Sequence, residues 1–222
     1  MQTPDDRGFP ISLFGGVPPR NPNFTGREDL LAELAHRLAP GARTVLLPEA
    51  LHGMGGVGKS QLATEYAYRN RARFDLIWWI QAERPVKIIN SLVELGMRLG
   101  FNAGAESNVA VKQVVDALKD ARNVEVPADW LLIFDNAESV ADLRPYLPIG
   151  GSGHIIVTSR NSQWLTVARP LEVTVFDREE SVRALCRRDP DLSEYDGSRL
   201  AEALGDLPLA IARRETSTPP SL

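Results

Sequence analysis

A glycine-rich segment places the strongest limit on how this chain can fold: Gly53-Met54-Gly55-Gly56-Val57-Gly58-Lys59-Ser60. It fits the Walker A pattern G-x-x-x-x-G-K-[ST] at every defined position. Glycines let successive backbone N–H groups turn inward around an anion, and a helix that begins near Lys59 adds its positive dipole end. We therefore predict a phosphate-binding loop between a strand and a helix. In this loop Lys59 reaches the β- and γ-phosphates and Ser60 ligates Mg²⁺.

Five short apolar segments predict the strands of a parallel sheet. They lack alternating polar residues, which is typical of strands that are buried on both faces. Amphipathic helical patterns lie between them, and this alternation favours an α/β domain with helices on both faces of a five-stranded sheet. The predicted strands are residues 44–47, 75–80, 130–134, 154–158 and 171–175. With the first strand at 44–47, residues 48–52 form an insertion before the glycine-rich loop.

The rest of the sequence predicts two further parts. Glycines and prolines recur every few residues through residues 1–23, which predicts a flexible lead-in. A helix is predicted to begin at Thr25, because Thr25 and Glu28 have the spacing of a capping box. Residues 24–177 then form the α/β domain. Residues 178–222 show helical patterns at residues 179–188 and 198–204 with no strand between them, and are expected to form a partial helical lid.

Composition excludes several classes of function. Lys and Arg total 25 against 29 Asp and Glu, for a net charge of −4. This balance argues against a general binder of nucleic acid or anionic membranes, because no excess of cations is present. Cys186 is the only cysteine, so no internal disulfide can form and a cytoplasmic location is expected. The apolar segments are too short for a membrane-spanning helix, and the first residues lack the pattern of a signal peptide.

An acidic residue ends the third predicted strand. Residues 131–134 are apolar and Asp135 follows them. Ligands of open α/β sheets bind at the carboxyl ends of the strands, so we expect Asp135 to face the Mg²⁺ held by Ser60. Asn136 comes next, and an amide cannot act as a base. This predicts slow hydrolysis; the alternative is that Asn136 orients a water and Glu138 supplies the base.

A cation ends the fourth predicted strand. Arg160 follows Thr158 and Ser159, and a guanidinium at this edge of the sheet can form charge-assisted hydrogen bonds to a γ-phosphate. We predict that Arg160 senses the terminal phosphate of a bound nucleotide. The alternative is a surface arginine that is paired with an acid.

Several segments occur in the order that is typical of one family. Over roughly residues 22–212 the chain resembles the NB-ARC domain, the nucleotide-binding module of STAND-class signalling ATPases. The matching segments are residues 24–28 (Phe-Thr-Gly-Arg-Glu), the glycine-rich loop, residues 131–135, residues 158–160 and residues 205–209 (Gly-Asp-Leu-Pro-Leu). Residues 77–83 (Ile-Trp-Trp-Ile-Gln-Ala-Glu) are similar to a bacterial, actinobacterial-type form that is associated with tetratricopeptide repeats.

The resemblance implies a P-loop NTPase fold and a role for each matching residue. In this fold class the strand before the loop and the strand of Asp135 are separated by a third, here residues 154–158. Lys59, Asp135 and Arg160 are the implied catalytic residues, and Ser60 and Asp135 the implied Mg²⁺ ligands. The residues implied to bind ATP or ADP are Phe24, Thr25, Arg27, Gly53, Gly55, Gly56, Val57, Gly58, Lys59, Ser60, Gln61 and Pro208. Residues 24–27 are expected beside the adenine and ribose, with Pro208 packed on the adenine.

The function that the resemblance implies is a conformational switch. ADP favours a closed, inactive state, and ATP favours an open state that associates with further copies of the chain. The γ-phosphate must contact one state more strongly than the other, through Lys59 and Arg160. Weak ATP hydrolysis then resets the switch. Relatives continue into a winged-helix domain and sensor repeats, so we expect this chain to be the truncated core of a larger switch.

Three other functions stay open at this point. A P-loop kinase-like phosphotransferase would need a second substrate pocket and an arginine-rich lid, and neither is evident. The nucleotide-binding core of a transcriptional regulator would need a DNA-reading part outside this chain, given its net charge. The third is a fragment that binds no nucleotide. The choice of adenine over guanine rests on the resemblance, and no N-K-x-D segment of the kind that reads guanine is present.

Overall fold

One parallel sheet runs through the centre of the protein. The computed structural model describes residues 13–39, 49–101, 106–120, 126–150 and 153–213, and within these ranges the sheet has six strands. They are β1 (Leu13–Gly15), β2 (Glu49–His52), β3 (Leu76–Gln81), β4 (Trp130–Asp135), β5 (His154–Thr158) and β6 (Arg169–Glu172). Their order is β1-β3-β4-β5-β2-β6, and all neighbours are parallel. The α/β class and the position of β5 between β2 and β4 are confirmed; the sheet has six strands rather than five.

Helices cover both faces of the sheet. In the described ranges they are α1 (Glu28–Arg37), α2 (Lys59–Arg69), α3 (Pro85–Arg98), α4 (Ser107–Lys119), α5 (Val140–Leu143), α6 (Arg178–Arg188), α7 (Glu194–Ala203) and α8 (Pro208–Arg213). Alternate strand residues face opposite sides. Trp78 and Leu132 pack with α3 and α4, whereas Ile77 and Leu131 pack with α1 and α2. None of these helices is long and apolar enough to span a membrane.

The strand before the glycine-rich loop differs from the prediction. β2 consists of Glu49–His52, which we assigned to an insertion, while the predicted strand at 44–47 lies outside the described residues. Leu51 of β2 pairs with Thr158 of β5 on one side and Leu171 of β6 on the other. Pairing with a strand on each side stabilises this segment as a strand, although its own apolar pattern is weak. The loop therefore follows its strand directly, with no insertion.

The sheet also contains a strand that the sequence pattern did not predict. Leu13–Gly15, part of the predicted flexible lead-in, forms β1 beside β3. Glycine is needed at position 15, because a Cβ atom there would lie 2.0 Å from Cζ3 of Trp78. The Phe14 ring packs edge-on against Tyr68 of α2, with ring centroids 5.1 Å apart. Flexibility is thus the wrong prediction for residues 13–15; residues 1–12 lie outside the described residues.

The start of α1 differs for a conformational reason. The helix begins at Glu28 rather than Thr25, and no side chain caps it. Arg27 has φ 64°, a left-handed conformation that a right-handed helix cannot include. The Thr25 hydroxyl donates instead to the carbonyl oxygen of Asn23. The N–H of Arg27 donates to the Glu180 carboxylate, 2.6 Å away, so a residue of α6 binds the backbone just before the helix.

The last three helices, which we call the lid (residues 178–213), share a small apolar core. Its buried members are Ala184, Leu185, Ala201 and Ile211. α6 begins with a capping box of Asp177 and Glu180 and agrees with the helix predicted at residues 179–188. α7 begins at Glu194, ahead of the predicted start at Ser198. α8 was not predicted, because six residues are too few to show a helical period.

The first prediction concerns the packing of β1. Gly15→Ala must displace the buried Trp78 ring, and overpacking of this kind lowers the free energy of unfolding by about 1–3 kcal/mol. Urea denaturation followed by tryptophan fluorescence measures the change. The matched control is Gly197→Ala in α7, where a Cβ would make ordinary contacts at 3.5 Å or more; alanine there should be neutral or stabilise by up to about 1 kcal/mol. Equal effects of the two substitutions would contradict the contact of Gly15 with Trp78.

Candidate functional site

The glycine-rich loop (residues 53–60, hereafter the phosphate loop) connects β2 to α2. Gly53, Gly56 and Gly58 have φ angles of 143°, 84° and 95°, which favour glycine. α2 begins at Lys59, so its first backbone N–H groups lack helical partners and face the loop. The loop and the helix end together offer the N–H groups and the positive dipole that bind phosphate.

The Lys59 side chain folds back across the phosphate loop. Its Nζ donates to the carbonyl oxygens of Gly53 at 2.8 Å and Met54 at 2.7 Å. Burial and the neighbouring Arg160 lower the pKa of the Lys59 ammonium, and Asp135 acts in the opposite direction. The carbonyl groups hold the ammonium against the loop, where a bound phosphate can replace them as its acceptor.

Three side-chain oxygens meet at the carboxyl ends of β4 and β5. Oδ1 of Asp135 accepts hydrogen bonds from Oγ of Ser60 at 2.6 Å and from Oγ1 of Thr158 at 2.5 Å. The structure therefore brings together Ser60 and Asp135, the two predicted Mg²⁺ ligands, which lie far apart along the chain. Thr158 completes the group and connects β5 to it.

This group of oxygens fits a magnesium ion. In the part of the chain that the structure describes, no three His, Cys, Asp or Glu side chains form a metal-binding cluster. Magnesium in nucleotide sites typically uses one or two protein oxygens and completes its shell with waters and phosphate oxygens. Ser60 and Asp135 supply one hydroxyl and one carboxylate of that kind.

Arg160 lies beyond β5, against the phosphate loop. A Cβ atom on Gly55 would be 3.1 Å from the guanidinium carbon of Arg160, so glycine at this position leaves the space that the arginine occupies. Arg160 and Lys59 line the same cavity. Two cations that face one space favour an anion there, because each raises the free energy of the other's charged form.

Arg27 is a buried cation that connects the phosphate loop to other segments. Its guanidinium donates to the carbonyl oxygens of Thr174 at 2.6 Å, Val175 at 3.3 Å and Val57 at 3.4 Å. The Glu180 carboxylate of α6 lies 3.9 Å from it. Burial lowers the pKa of Arg27, and Glu180 opposes this shift. These bonds fix the segment of residues 21–27 (the N-terminal wall) against both the loop and the lid.

α8 of the lid lies directly on the phosphate loop. The N–H of Leu209 donates to the carbonyl oxygen of Gly56 at 3.1 Å, and a Cβ atom on Gly56 would be 3.3 Å from Cβ of Leu209. A Cβ atom on Gly58 would be 3.9 Å from Cβ of Pro208. Glycine in the loop therefore lets the lid approach the loop backbone closely.

An ion pair holds the turn that precedes α8. Nε and Nη2 of Arg178 donate to the two carboxylate oxygens of Asp206, at 3.0 and 2.8 Å. Hydrogen bonding to Arg178 lowers the pKa of the Asp206 carboxyl. Asp206 has φ 53°, a left-handed conformation that aspartate adopts more readily than most residues. The pair therefore ties α6 to the residues that carry Pro208 onto the loop.

These parts enclose a cavity of about 400 Å³. Its walls come from the N-terminal wall, the phosphate loop, the ends of β4 and β5, and the lid. The sequence-predicted residues that line it are Phe24, Thr25, Arg27, Gly56, Val57, Gly58, Lys59, Ser60, Gln61, Arg160 and Pro208. Gly53, Gly55 and Asp135 do not line it, although Asp135 contacts it through Ser60.

Sequence reasoning missed much of the lid side of this cavity. The further lining residues include Asn21, Asn23, Thr158, Phe176, Ala184, Arg188, Leu209, Ile211 and Ala212. The lid residues among them, Ala184, Arg188, Leu209, Ile211 and Ala212, reach the cavity only because the lid packs on the loop. Arg188 has the sequence position of a solvated charge at a helix end. It instead donates to the carbonyl oxygen of Ala212, from α6 to α8.

Asn136 and Glu138 lie in different surroundings. Asn136 lines the cavity, and its N–H donates to Oγ1 of Thr158 at 2.8 Å. Glu138 is exposed and is not part of the cavity wall; its carbonyl oxygen accepts from Asn161. The arrangement does not support the alternative in which Glu138 is the base.

One protein family matches most of the chain. The NB-ARC domain matches residues 27–188, a span that includes the phosphate loop, Asp135 and Arg160 and ends with α6.

Two curated proteins are similar over a comparable stretch. A nucleotide-binding leucine-rich repeat (NLR)-like protein of Hyaloscypha variabilis is 28% identical over 226 residues, covering 86% of this chain and 22% of the relative. The regulatory protein AfsR of Streptomyces griseus is 29% identical over 217 residues, covering 88% of this chain and 21% of the relative. The chain thus spans about a fifth of the length of these relatives.

Solved structures share the fold at low sequence identity. A signal transduction ATPase with numerous domains (STAND) protein of Pyrococcus horikoshii, which has a tetratricopeptide repeat sensor, is 16% identical with a TM-score of 0.61. The likeness covers 93% of this chain and 32% of that protein. The ORC2 protein of Aeropyrum pernix, solved as ADPNP–ADP complexes, is 15% identical with a TM-score of 0.52, covering 89% of this chain and 71% of that one.

The second prediction concerns the ion pair of the lid. Because Arg178 lowers the pKa of the Asp206 carboxyl, the pair stabilises the folded protein above the carboxyl's unfolded pKa, and this contribution is lost as pH falls through the lower folded pKa. Asp206→Asn should therefore lower the urea midpoint at neutral pH, and the difference from wild type should shrink towards about pH 3. The control Asp191→Asn, at an exposed position, should show little difference at any pH. A constant deficit of Asp206→Asn across this range would contradict the pairing.

Proposed function

Because the chain belongs to the NB-ARC domain family and has the P-loop NTPase fold, we propose that it is the ATP- and ADP-binding switch of a STAND-type signalling or regulatory protein. One observation carries the proposal: the phosphate loop, the N-terminal wall and the lid line a single cavity of about 400 Å³. Small-molecule sites have volumes of roughly 300–1,000 Å³. A ligand that fills this cavity contacts all three parts, so its binding energy depends on how they are arranged.

The polar end of the cavity suits phosphates. In the proposed site, the backbone of residues 53–61 binds the phosphate oxygens, and Lys59 and Arg160 supply positive charge. Ser60 and Asp135 hold Mg²⁺, which would neutralise charge on the phosphates and polarise their oxygens. The hydrogen bond from Ser60 to Asp135 supports this assignment, since it aligns both oxygens before any ion binds.

The apolar end of the cavity suits a base. Phe24, Phe176, Pro208 and Ile211 line it, and flat aromatic and apolar surfaces bind a planar base by stacking and burial. We assign adenine and ribose to Phe24, Thr25 and Pro208. Arg27 acts on this end indirectly, because its guanidinium is bonded to protein carbonyls and holds the N-terminal wall in place.

The contact between lid and loop supports a switch. Leu209 bonds to Gly56, and Pro208 lies beside Gly58. A change in the phosphate loop on phosphate binding would therefore alter the contacts of α8 directly. A terminal phosphate that contacts Lys59 and Arg160 in one arrangement more strongly than in another shifts the population between them. In the whole protein, we assign self-association to the ATP-bound arrangement.

Hydrolysis by this site is proposed to be weak and to reset the switch. Lys59, Asp135 and Arg160 act on the phosphates and the ion. Among the described residues that line the cavity, none is an aspartate or glutamate. A general base is therefore lacking beside the position where water would attack, and turnover is expected to be slow.

The likeness to the regulatory protein AfsR favours a second candidate, the nucleotide-binding core of a transcriptional regulator. Both candidates place further domains outside the matched region, because the relatives are much longer than this chain. A bacterial, tetratricopeptide-associated form of the switch is one such arrangement, and the single cysteine of the chain suits a cytoplasmic location. The nucleotide chemistry of the cavity is the same in either case.

The third prediction tests nucleotide binding. Isothermal titration calorimetry with ADP, ATP and GTP, each with Mg²⁺, should give micromolar or tighter binding for the adenine nucleotides only. Lys59→Ala should weaken ATP binding by at least about tenfold, because it removes a charge-assisted contact worth about 1.5–3 kcal/mol.

Lys119→Ala is the matched control. Lys119 is an exposed lysine of α4 outside the cavity, and its removal should leave both affinities unchanged. Absence of binding by wild type, or equal losses in the two variants, would contradict the proposed site.

The fourth prediction tests the magnesium ligands. Asp135→Asn should weaken Mg²⁺-dependent ATP binding by about tenfold or more, since ligands and groups that orient them typically contribute that much to metal affinity. Binding measured with excess EDTA should differ little from wild type. Asp142→Asn, at an exposed position of α5, is the control. An equal loss with and without Mg²⁺ would show that Asp135 acts on the fold of the loop rather than on the ion.

A further inference from the structure

Glu65 is a buried carboxylate of α2 that lies outside the cavity wall. Only 3% of the residue is exposed, and it is not among the residues that line the cavity. Gln61, one helical turn earlier, does line the cavity, and residues four apart lie on the same face of a helix. Glu65 and Arg69 therefore continue the face of α2 that begins at the cavity. A buried carboxylate is costly unless it is paired, so its partners show which segments it connects.

Two arginines bind Glu65, and one of them extends the pairing to a second carboxylate. Nε and Nη2 of Arg20 donate to the two oxygens of Glu65, at 3.0 and 2.8 Å. Nε of Arg69 donates to Oε1 of Glu65 at 2.7 Å. The two Nη groups of Arg69 donate to the carboxylate of Glu28, at 2.6 and 2.9 Å. We call these four residues the charge network; their hydrogen bonds are of the strong, charge-assisted kind.

The charge network binds both ends of the N-terminal wall to α2. Arg20 comes directly before the wall and Glu28 directly after it, and both bond to the Glu65–Arg69 pair of α2. Between these ends, Cζ of Arg69 lies 6.0 Å from the centroid of the Phe24 ring, within reach of a cation–π interaction. Phe24 lines the cavity. The network therefore contacts a cavity wall directly, although Glu65 does not.

The bonds inside the wall are local. The N–H groups of Phe24 and Asn23 donate to the carbonyl oxygen and to Oδ1 of Asn21, at 3.2 and 3.0 Å. Such bonds shape the segment but do not fix its position against α2. Arg27 ties the wall to the phosphate loop and the lid, and Arg187 of the lid donates to the carbonyl oxygen of Phe24 at 3.4 Å. The charge network supplies the connection to α2.

We propose that Glu65 is a positioning residue for nucleotide binding, which holds the N-terminal wall against α2 through Arg20 and Arg69 so that Phe24 is in place to pack on the base. This inference rests on the proposed function and deepens it, because it names a group that sets affinity without touching the ligand. A wall that is ordered in advance need not be ordered on binding, and preorganisation of this kind raises affinity.

The fifth prediction tests Glu65 by calorimetry with ADP and Mg²⁺. Glu65→Gln keeps the size of the side chain but removes the charge that Arg20 and Arg69 share. The affinity for ADP should fall by about tenfold, because charge-assisted bonds are lost and a smaller fraction of the protein has the wall in place. Arg20→Gln alters a side chain that is 52% exposed, where solvent screens the pair, and should weaken binding by about threefold.

Glu33→Gln is the matched control. Glu33 accepts from Nε of Arg37 at 2.7 Å, the same spacing and distance as the bond from Arg69 to Glu65. It lies on α1 and does not line the cavity. Loss of this pair should leave the affinity for ADP within about twofold of wild type.

Two further measurements separate positioning from a general loss of stability. If Glu65 acts through the wall, Glu65→Gln should weaken ADP binding less in a Phe24→Ala background than in wild type. Without nucleotide, amide exchange at Phe24 and Arg27 should be faster by about tenfold in Glu65→Gln. Exchange at Leu62, whose N–H donates to Gly58 in the first turn of α2, should be unchanged. If Glu65→Gln does not fold, Arg20→Gln takes its place in both comparisons.

The opposite results overturn the proposal. These are an ADP affinity of Glu65→Gln within about twofold of wild type, additive effects of Glu65→Gln and Phe24→Ala, or equal acceleration of exchange at Phe24 and Leu62. If wild type binds no nucleotide, the proposed function fails and the role of Glu65 in binding fails with it. The exchange measurement needs no nucleotide, so it decides separately whether Glu65 holds the wall.

Discussion

The arrangement of the cavity walls depends on one buried guanidinium. Arg27 donates to carbonyl groups of the phosphate loop and of the chain after β6, and its backbone N–H donates to Glu180 of the lid. Hydrogen bonds to charged groups contribute about 1.5–3 kcal/mol each, and a buried charge that loses a partner is costly. Arg27 therefore holds the three walls of the cavity in one arrangement before any ligand is present.

The contact between α8 and the phosphate loop is weaker than the Arg27 connection. It consists of one neutral hydrogen bond, from Leu209 to Gly56, together with van der Waals contact. A neutral hydrogen bond contributes about 1 kcal/mol. The lid is thus attached firmly at the start of α6 and loosely at α8, which is the end that touches the phosphate-binding backbone. This difference supports the proposed switch, because contacts of low stability are the ones that open first.

The chemistry of the site could be predicted from sequence, but much of the lid side of its cavity could not. Ser60 and Asp135 follow from a loop pattern and a strand end, since a parallel sheet brings the carboxyl ends of its strands to one edge. The predictions that rested on Gly15 and Thr25, a flexible segment and a helix start, differ from the structure for physical reasons. The packing of Trp78, not a turn, requires glycine at position 15. The spacing of a capping box carries no information about the left-handed backbone that follows Thr25.

The strong Arg27 connection and the weak contact of α8 support one conclusion. The phosphate loop and the lid bind a nucleotide together. Amide hydrogen exchange with and without ADP tests it most directly. ADP should slow exchange in residues 53–61 and also in α8, including the N–H of Leu209, because the ligand holds both walls at once. Protection confined to the phosphate loop, with exchange in α8 unchanged, would contradict a cavity that the lid helps to form.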